Sequence, residues 1–297
     1  MKKTYLFLML AAVFVFSVCP LAEAGTLDKA MISFTFDDGY RSLYSQARPQ
    51  LNKYKIPATA YIVTDYVGYG YAVTYDQLWK LHSNLGWEIG NHTLNHPDLT
   101  TLTDEDVLIQ VRGARDALAS HGLINVTSLA SPYGAYNEHV LNILKSDGSL
   151  YSQRRAWWED SPINEVDTFD QWQLIVVGMD DAEGPLTFDT VKPYIDQAIA
   201  SKAWLILMFH DIVTGTPAPY QFNAEELGKI ANYVNTNKSL IDAVTVSKGV
   251  GKMLYYKSLT SFTATTTSNS TSPQRKKVPA PPPANSSVPG NIVNGRP

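Results

Sequence analysis

Short apolar runs alternate with amphipathic stretches along most of this chain, and that alternation limits its fold more than any other feature. Residues 31–36, 58–63, 87–90, 126–130, 174–177, 204–209 and 243–246 read as strands. Each is too short for a helix of ordinary length and is bounded by turn-forming or polar residues. Helical patterns lie between them, at 43–54, 74–85, 103–120, 138–145, 188–201 and 224–234. Thr74 and Gln77 have the spacing of a capping box. Thr103 opens its helix, and Gly122 closes it. Strands separated by helices pair side by side and in parallel, with the helices covering the sheet. About seven such units in roughly 230 residues predict an α/β fold, a (β/α) barrel of about seven parallel strands.

The ends of the chain differ from this body. Lys2 and Lys3 precede an apolar run at 5–18, and Ala22-Glu23-Ala24 has the small-x-small pattern of a cleavage site. Residues 1–24 therefore read as a signal peptide cut before Gly25, with a membrane anchor as the alternative. Cleavage leaves no stable membrane span and puts the product outside the cytoplasm, secreted or in the periplasm or cell envelope. The single cysteine, Cys19, lies within that leader. The mature chain then has no disulfide and no thiolate ligand, so any metal falls to His and carboxylates. The domain spans 25–257. Residues 258–297 are rich in Thr, Ser and Pro and read as a disordered tail. A net charge of -4, with Arg275, Lys276 and Lys277 as its one short basic cluster, argues against a nucleic-acid partner. Nothing in the sequence sets the oligomeric state.

In barrels of this kind the chemistry sits at the C-terminal ends of the strands. Four expected strands end in polar residues: Asp37-Asp38-Gly39, Asn91-His92, Ser131-Pro132-Tyr133-Gly134 and His210-Asp211. Asp37 and Asp38 repel each other, which calls for a cation or hydrogen-bond donors. Asp-Asp-Gly is also ordinary turn chemistry. His92 and His96, four residues apart, share one face if the segment forms a helical turn. With one carboxylate, two imidazoles can bind a divalent ion and leave positions open for water and substrate. His210 is either a buried structural histidine or a proton-transfer group. Tyr136, Trp157, Trp158 and the Tyr/Gly-rich loop 66–71 are groove-lining or packing residues.

Four ordered segments carry a family resemblance. They are Thr35-Phe36-Asp37-Asp38-Gly39, His92-Thr93-x-x-His96, Pro132-Tyr133-Gly134 and Met208-Phe209-His210. Together they resemble the motifs of the NodB-homology polysaccharide deacetylases. The resemblance implies a distorted (β/α) barrel and removal of acetyl groups from N-acetylglucosamine-containing polymers. It implies Asp37 as general base, Asp38, His92 and His96 as ligands of a divalent ion (zinc by default), and Thr93 as support for the His-bearing turn. It further implies the Tyr133 N–H as an oxyanion donor and His210 as general acid. The family's third motif often begins with Arg two residues before the Pro, where this chain has Ala130. Residues 130–137 resemble the branch acting on poly-N-acetylglucosamine exopolysaccharide, which also lacks that Arg. Arg155, or failing that Arg154, is the expected replacement. Asp160, Asp180 and Asp181 are the possible partners of His210. An amidase acting on a non-carbohydrate amide, and a degenerate glycan-binding protein, are the competing readings.

Overall fold

The computed structural model describes residues 26–150, 152–154, 161–181 and 184–268. The expected signal peptide and Arg155, Trp157, Trp158 and Asp160 lie outside them, as does most of the expected tail. The strands are β1 Ala30–Phe36, β2 Thr59–Ile62, β3 Glu88–Asn91, β4 Ser128–Ala130, β5 Ser152–Arg154, β6 Ile163–Asn164, β7 Val177–Gly178, β8 Asp180–Asp181, β9 Gly184–Pro185, β10 Trp204–Phe209, β11 Asp211–Val213, β12 Gln221–Asn223 and β13 Ile241–Ala243. The helices are α1 Arg48–Asn52, α2 Tyr75–Leu85, α3 Asp104–Ser120, α4 Glu138–Asp147, α5 Phe188–Ser201, α6 Ala224–Thr236 and α7 Val246–Ser268.

The main sheet runs β5-β4-β3-β2-β1-β10-β6, with β13 also on β1 and β7 also on β10. Its pairings are parallel except that of β6 with β10. The sheet curls into a half-barrel, the distorted (β/α) barrel expected, with β6 as an antiparallel addition. β6 and β7 are only two residues long, and Asn164 explains why β6 stays attached. Its Nδ2 donates to the Ile175 and Trp204 carbonyls at 2.9 and 3.2 Å, and its Oδ1 accepts from the Ile175 N–H at 2.9 Å.

β1 and β10 are buried along their whole length. That is why they read as continuous apolar runs rather than as alternation. Along β10, Leu205, Leu207 and Phe209 pack in the larger core with Phe34 and Phe36. Trp204, Ile206 and Met208 pack on the opposite face with Met31, Tyr61 and helix α7. Phe36 stacks between Trp87 and Phe209, at centroid distances of 5.5 and 5.3 Å. Gly249 lets α7 approach the sheet, because a Cβ there would run into the Trp204 ring.

Register decides which residues meet. Met31 pairs with Trp204 and Phe36 with Phe209, so Asp37 and His210 emerge together from adjacent strands. The Asp37 N–H continues the ladder to the Phe209 carbonyl at 2.8 Å. On the other side Ile62 pairs with Asn91, and Asn91 with Leu129. His92 thereby comes alongside Ala130. Two expectations shift at the C-terminal end of the body. The last strand is Ile241–Ala243, and Val246 starts α7 instead of ending a strand. That helix continues to Ser268, past the expected boundary at 257.

Candidate functional site

The strand ends open into a cavity of about 560 Å³ whose wall includes Asp37, Asp38, His92, His96, Tyr133 and His210. Strain concentrates here. Among the described residues, five of the eight non-glycine positions with positive φ are Asp38, Thr93, His96, Tyr133 and Tyr220, all on this rim or in its supporting loops. Left-handed backbone costs a residue with a Cβ on the order of 1–3 kcal/mol and persists where the surroundings enforce it. Gly39 completes the first turn at φ 75°, and a Cβ there would press on Ile62 Cδ1 at 3.2 Å.

Residues 92–96 form no helical turn, contrary to the spacing argument. Positive φ at Thr93 and His96 breaks the helical path and folds a tight loop. Side chains hold it: Asn91 Oδ1 accepts from the Thr93 N–H at 2.8 Å, and Thr93 Oγ1 accepts from the His96 N–H at 3.0 Å. Gln110 Oε1, from α3, accepts from the N–H groups of Leu94 and Asn95. The imidazoles still converge, with ring centroids 4.8 Å apart. Thr93 was expected to support this turn, whereas Asn91 stood only as a polar strand end and Gln110 carried no signal, since their amides resemble any other polar residue in one dimension.

Asp38 Oδ1 lies 3.3 Å from Nε2 of His92 and 3.3 Å from Nε2 of His96. One ligand atom from each residue falls within a 4.8 Å cluster. Oδ1 is buried yet makes no hydrogen bond. A buried carboxylate oxygen without a donor is costly unless a cation balances it. His92 Nδ1 sits 2.7 Å from the Ala130 carbonyl, a contact it makes as donor, which leaves Nε2 a lone pair facing the cavity. Burial, reinforced by His92, lowers the pKa of His96 and favours the neutral ligand form. Burial alone would raise the pKa of Asp38, but His92, His210 and His96 outweigh it and hold the carboxyl below its ordinary value. The donor set, two imidazole nitrogens and one carboxylate oxygen, fits a divalent ion such as zinc with open positions.

His210 faces this cluster. Asp180, fully buried, bonds it twice: Oδ1 is 2.8 Å from Nδ1, and Oδ2 accepts from the backbone N–H at 2.7 Å. Burial alone would lower the His210 pKa; Asp180, then Asp37 and Asp38, outweigh it and raise it to about 9. Of the three carboxylates proposed from sequence, Asp180 is the partner seen. Tyr133 stands 72% exposed with its ring edge against His96 at 4.6 Å. Tyr220, unmarked in the sequence, meets His210 edge-on at 5.7 Å. Tyr40 and Met208 also line the cavity. Burial, then Asp38 and Asp211, push the Tyr40 phenol up to about 12, so it stays protonated. Tyr136 donates to Gln173 instead of lining the cavity.

This fold and this arrangement of residues resemble those of the polysaccharide deacetylases. Residues 24–151 match the family model described as Polysaccharide deacetylase. The peptidoglycan-N-acetylmuramic acid deacetylase PdaC of Bacillus subtilis is 30% identical over 142 residues, covering 48% of this chain and 29% of that protein. The poly-beta-1,6-N-acetyl-D-glucosamine N-deacetylase of Staphylococcus aureus is 27% identical, covering 43% and 49%. The chain thus spans less than half the length of each of these relatives. The solved structure of PdaC superposes with a TM-score of 0.51 at 22% identity, over 82% of this chain and 98% of that one. A family 4 carbohydrate esterase from Bacillus anthracis gives 0.51 at 22%, over 77% and 86%. The family match ends before Asp180 and His210; His210 enters the site through the β1–β10 register, and Asp180 through the pairing of β7 with β10.

Proposed function

We propose that this chain is a secreted, divalent-metal-dependent N-deacetylase acting on an N-acetylglucosamine-containing polysaccharide. The observation that carries this reading is the convergence of two unlike devices on one cavity. One is the undercompensated Asp38–His92–His96 cluster; the other is the Asp180-backed His210. An ion bound at the first would polarise the acetamide carbonyl and lower the pKa of water there.

The protein's own groups do the rest. Asp37 takes a proton from the attacking water, whose oxygen bonds to the carbonyl carbon. The Tyr133 N–H donates to the oxyanion that forms, a contact made only once charge develops. His210, protonated at neutral pH, gives its proton to the amide nitrogen as the C–N bond breaks, releasing acetate and leaving an amine on the sugar. Asp180 holds the His210 ring by Nδ1, so Nε2 faces the reaction. Arg155, outside the described residues, is our candidate to take the role of the Arg absent at Ala130.

The names of the relatives favour a glycan of the cell surface, peptidoglycan or poly-N-acetylglucosamine. Secretion rests on residues 1–24. Among the described residues, no helix is long and apolar enough to cross a membrane. The test is acetate release from peptidoglycan, poly-N-acetylglucosamine and chitin oligomers, with chelator and zinc add-back. Release lost with chelator and restored by zinc supports the proposal. Binding of these glycans without acetate release under any metal condition overturns it.

A further inference from the structure

Beside the cavity, four tyrosine rings form one cluster, two of them exposed and two half-buried, that the proposed reaction does not use. Tyr71 is its centre, with ring centroids 6.2 Å from Tyr40, 6.0 Å from Tyr66 and 6.1 Å from Tyr69. Tyr69 and Tyr71 are 56% and 50% exposed. Such an aromatic patch remains open to water at a cost in free energy and marks a binding surface.

The patch is built rather than loose. The Arg41 N–H donates to the Tyr71 carbonyl at 2.8 Å, and the Val73 N–H to the Gly39 carbonyl at 2.9 Å. The Arg41 guanidinium donates to the Ala72 and Tyr69 carbonyls, both at 3.3 Å. The loop bearing Tyr66, Tyr69 and Tyr71 is therefore fastened to the turn carrying Asp37 and Asp38. Its cation is committed to backbone carbonyls, so the rings carry the recognition. Tyr40 belongs both to the patch and to the cavity wall, which makes the two surfaces one.

We propose that this tyrosine shelf is an extended glycan subsite. It would take the hexosamine units next to the one whose acetamide occupies the cavity, so that the enzyme prefers oligomers over short sugars. The proposal rests on the deacetylase reading above. A pyranose unit has an apolar C–H face and a hydroxylated edge, and tyrosine offers the matching flat face and polar tip. Rigid rings bind at low entropic cost. Binding energy gathered on non-reacting units serves to position the reacting one.

The test compares wild type, Tyr69→Ala, Tyr71→Ala and Tyr71→Phe on N-acetylglucosamine pentamers and dimers, β-1,6- and β-1,4-linked. Affinity is read by calorimetry and acetate release by steady-state kinetics. Each alanine variant should weaken pentamer binding and raise its KM by about tenfold, the equivalent of about 1.4 kcal/mol. Dimer affinity and pentamer kcat should change less than about twofold, and Tyr71→Phe should keep most of the affinity. Unchanged pentamer affinity in both alanine variants, or equal losses on dimer and pentamer, overturns the shelf. Should either alanine variant misfold, the other and Tyr71→Phe still decide the matter. Shelf-dependent binding without acetate release would sink the deacetylase reading and leave the shelf; acetate release with unaltered pentamer KM would do the reverse.

Discussion

Two carboxylates at opposite ends of the same sheet show how a structural acid differs from a functional one. Glu88 begins β3, at the N-terminal end. It accepts from Ser128 Oγ and Ser247 Oγ, both at 2.6 Å, from the Ser247 N–H at 2.8 Å and from Thr59 Oγ1 at 3.2 Å. Those donors join three strands to the first turn of α7. Asp38, just past the C-terminal end of β1, is half-buried with its Oδ1 out of water and lacks such a set, and its backbone is strained besides. One end of the sheet satisfies its charge and locks the fold. The other leaves charge for something else to complete.

The largest effect is expected at Asp38. Asp38→Ala should lower kcat/KM by about 10³-fold or more, since it removes both ion and positioned water. Its thermal midpoint without metal should hold or rise, because a strained, undercompensated carboxylate is gone. A fall in metal-free stability matching that of a core substitution would contradict the contrast. Glu88→Ala should do the reverse, costing about 2–3 kcal/mol through stranded donors while the folded enzyme keeps its turnover. Chemical denaturation paired with activity assays reads both arms.

Asp180→Asn sharpens the picture with a carboxylate that is both satisfied and functional. It should lower kcat by about 10²-fold, within the range of general acid catalysis. Wild-type activity should fall as pH rises through about 9, where His210 loses its proton, and the variant's alkaline limb should lie lower. The folded-state pKa is raised, so this group's stability contribution is complete below about 6.5, the unfolded value. It is lost as pH rises through about 9. An alkaline limb unmoved by Asp180→Asn would show that His210 is not the group titrating. The smallest expected effect is Thr93→Val, about tenfold in zinc affinity through loss of the bond that sets His96. Calorimetry against zinc measures it directly.

Much of this was legible in the sequence. Helix α2 starts at the capping box, with both reciprocal bonds formed. β1 and β10 are long, fully buried and apolar, so their limits were plain. The convergence of Asp38, His92 and His96 was legible as residues but not as conformation. Four-residue spacing suggests a helical turn, while positive φ at Thr93 and His96 leaves no composition signal because neither residue favours it. The irregular half resisted reading for another reason. β6 and β7 are two-residue strands held by the Asn164 side chain, and no periodicity exists over two residues. Choosing Asp180 over Asp181 needed the register of β7 on β10, which is a long-range fact. Tyr220 lies in a Pro-flanked loop and meets His210 only after the chain returns.

In the proposed function Asp38, His92 and His96 hold a divalent ion with which the protein removes acetyl groups. The most direct measurement follows acetate release from an N-acetylglucosamine polymer while zinc is titrated into chelated protein, with bound metal counted in the same samples. Activity should rise in step with the metal to a plateau at about one ion per chain, and His92→Ala should show neither metal nor activity. Full acetate release by the metal-free protein, or one tightly bound ion retained by His92→Ala, would contradict it.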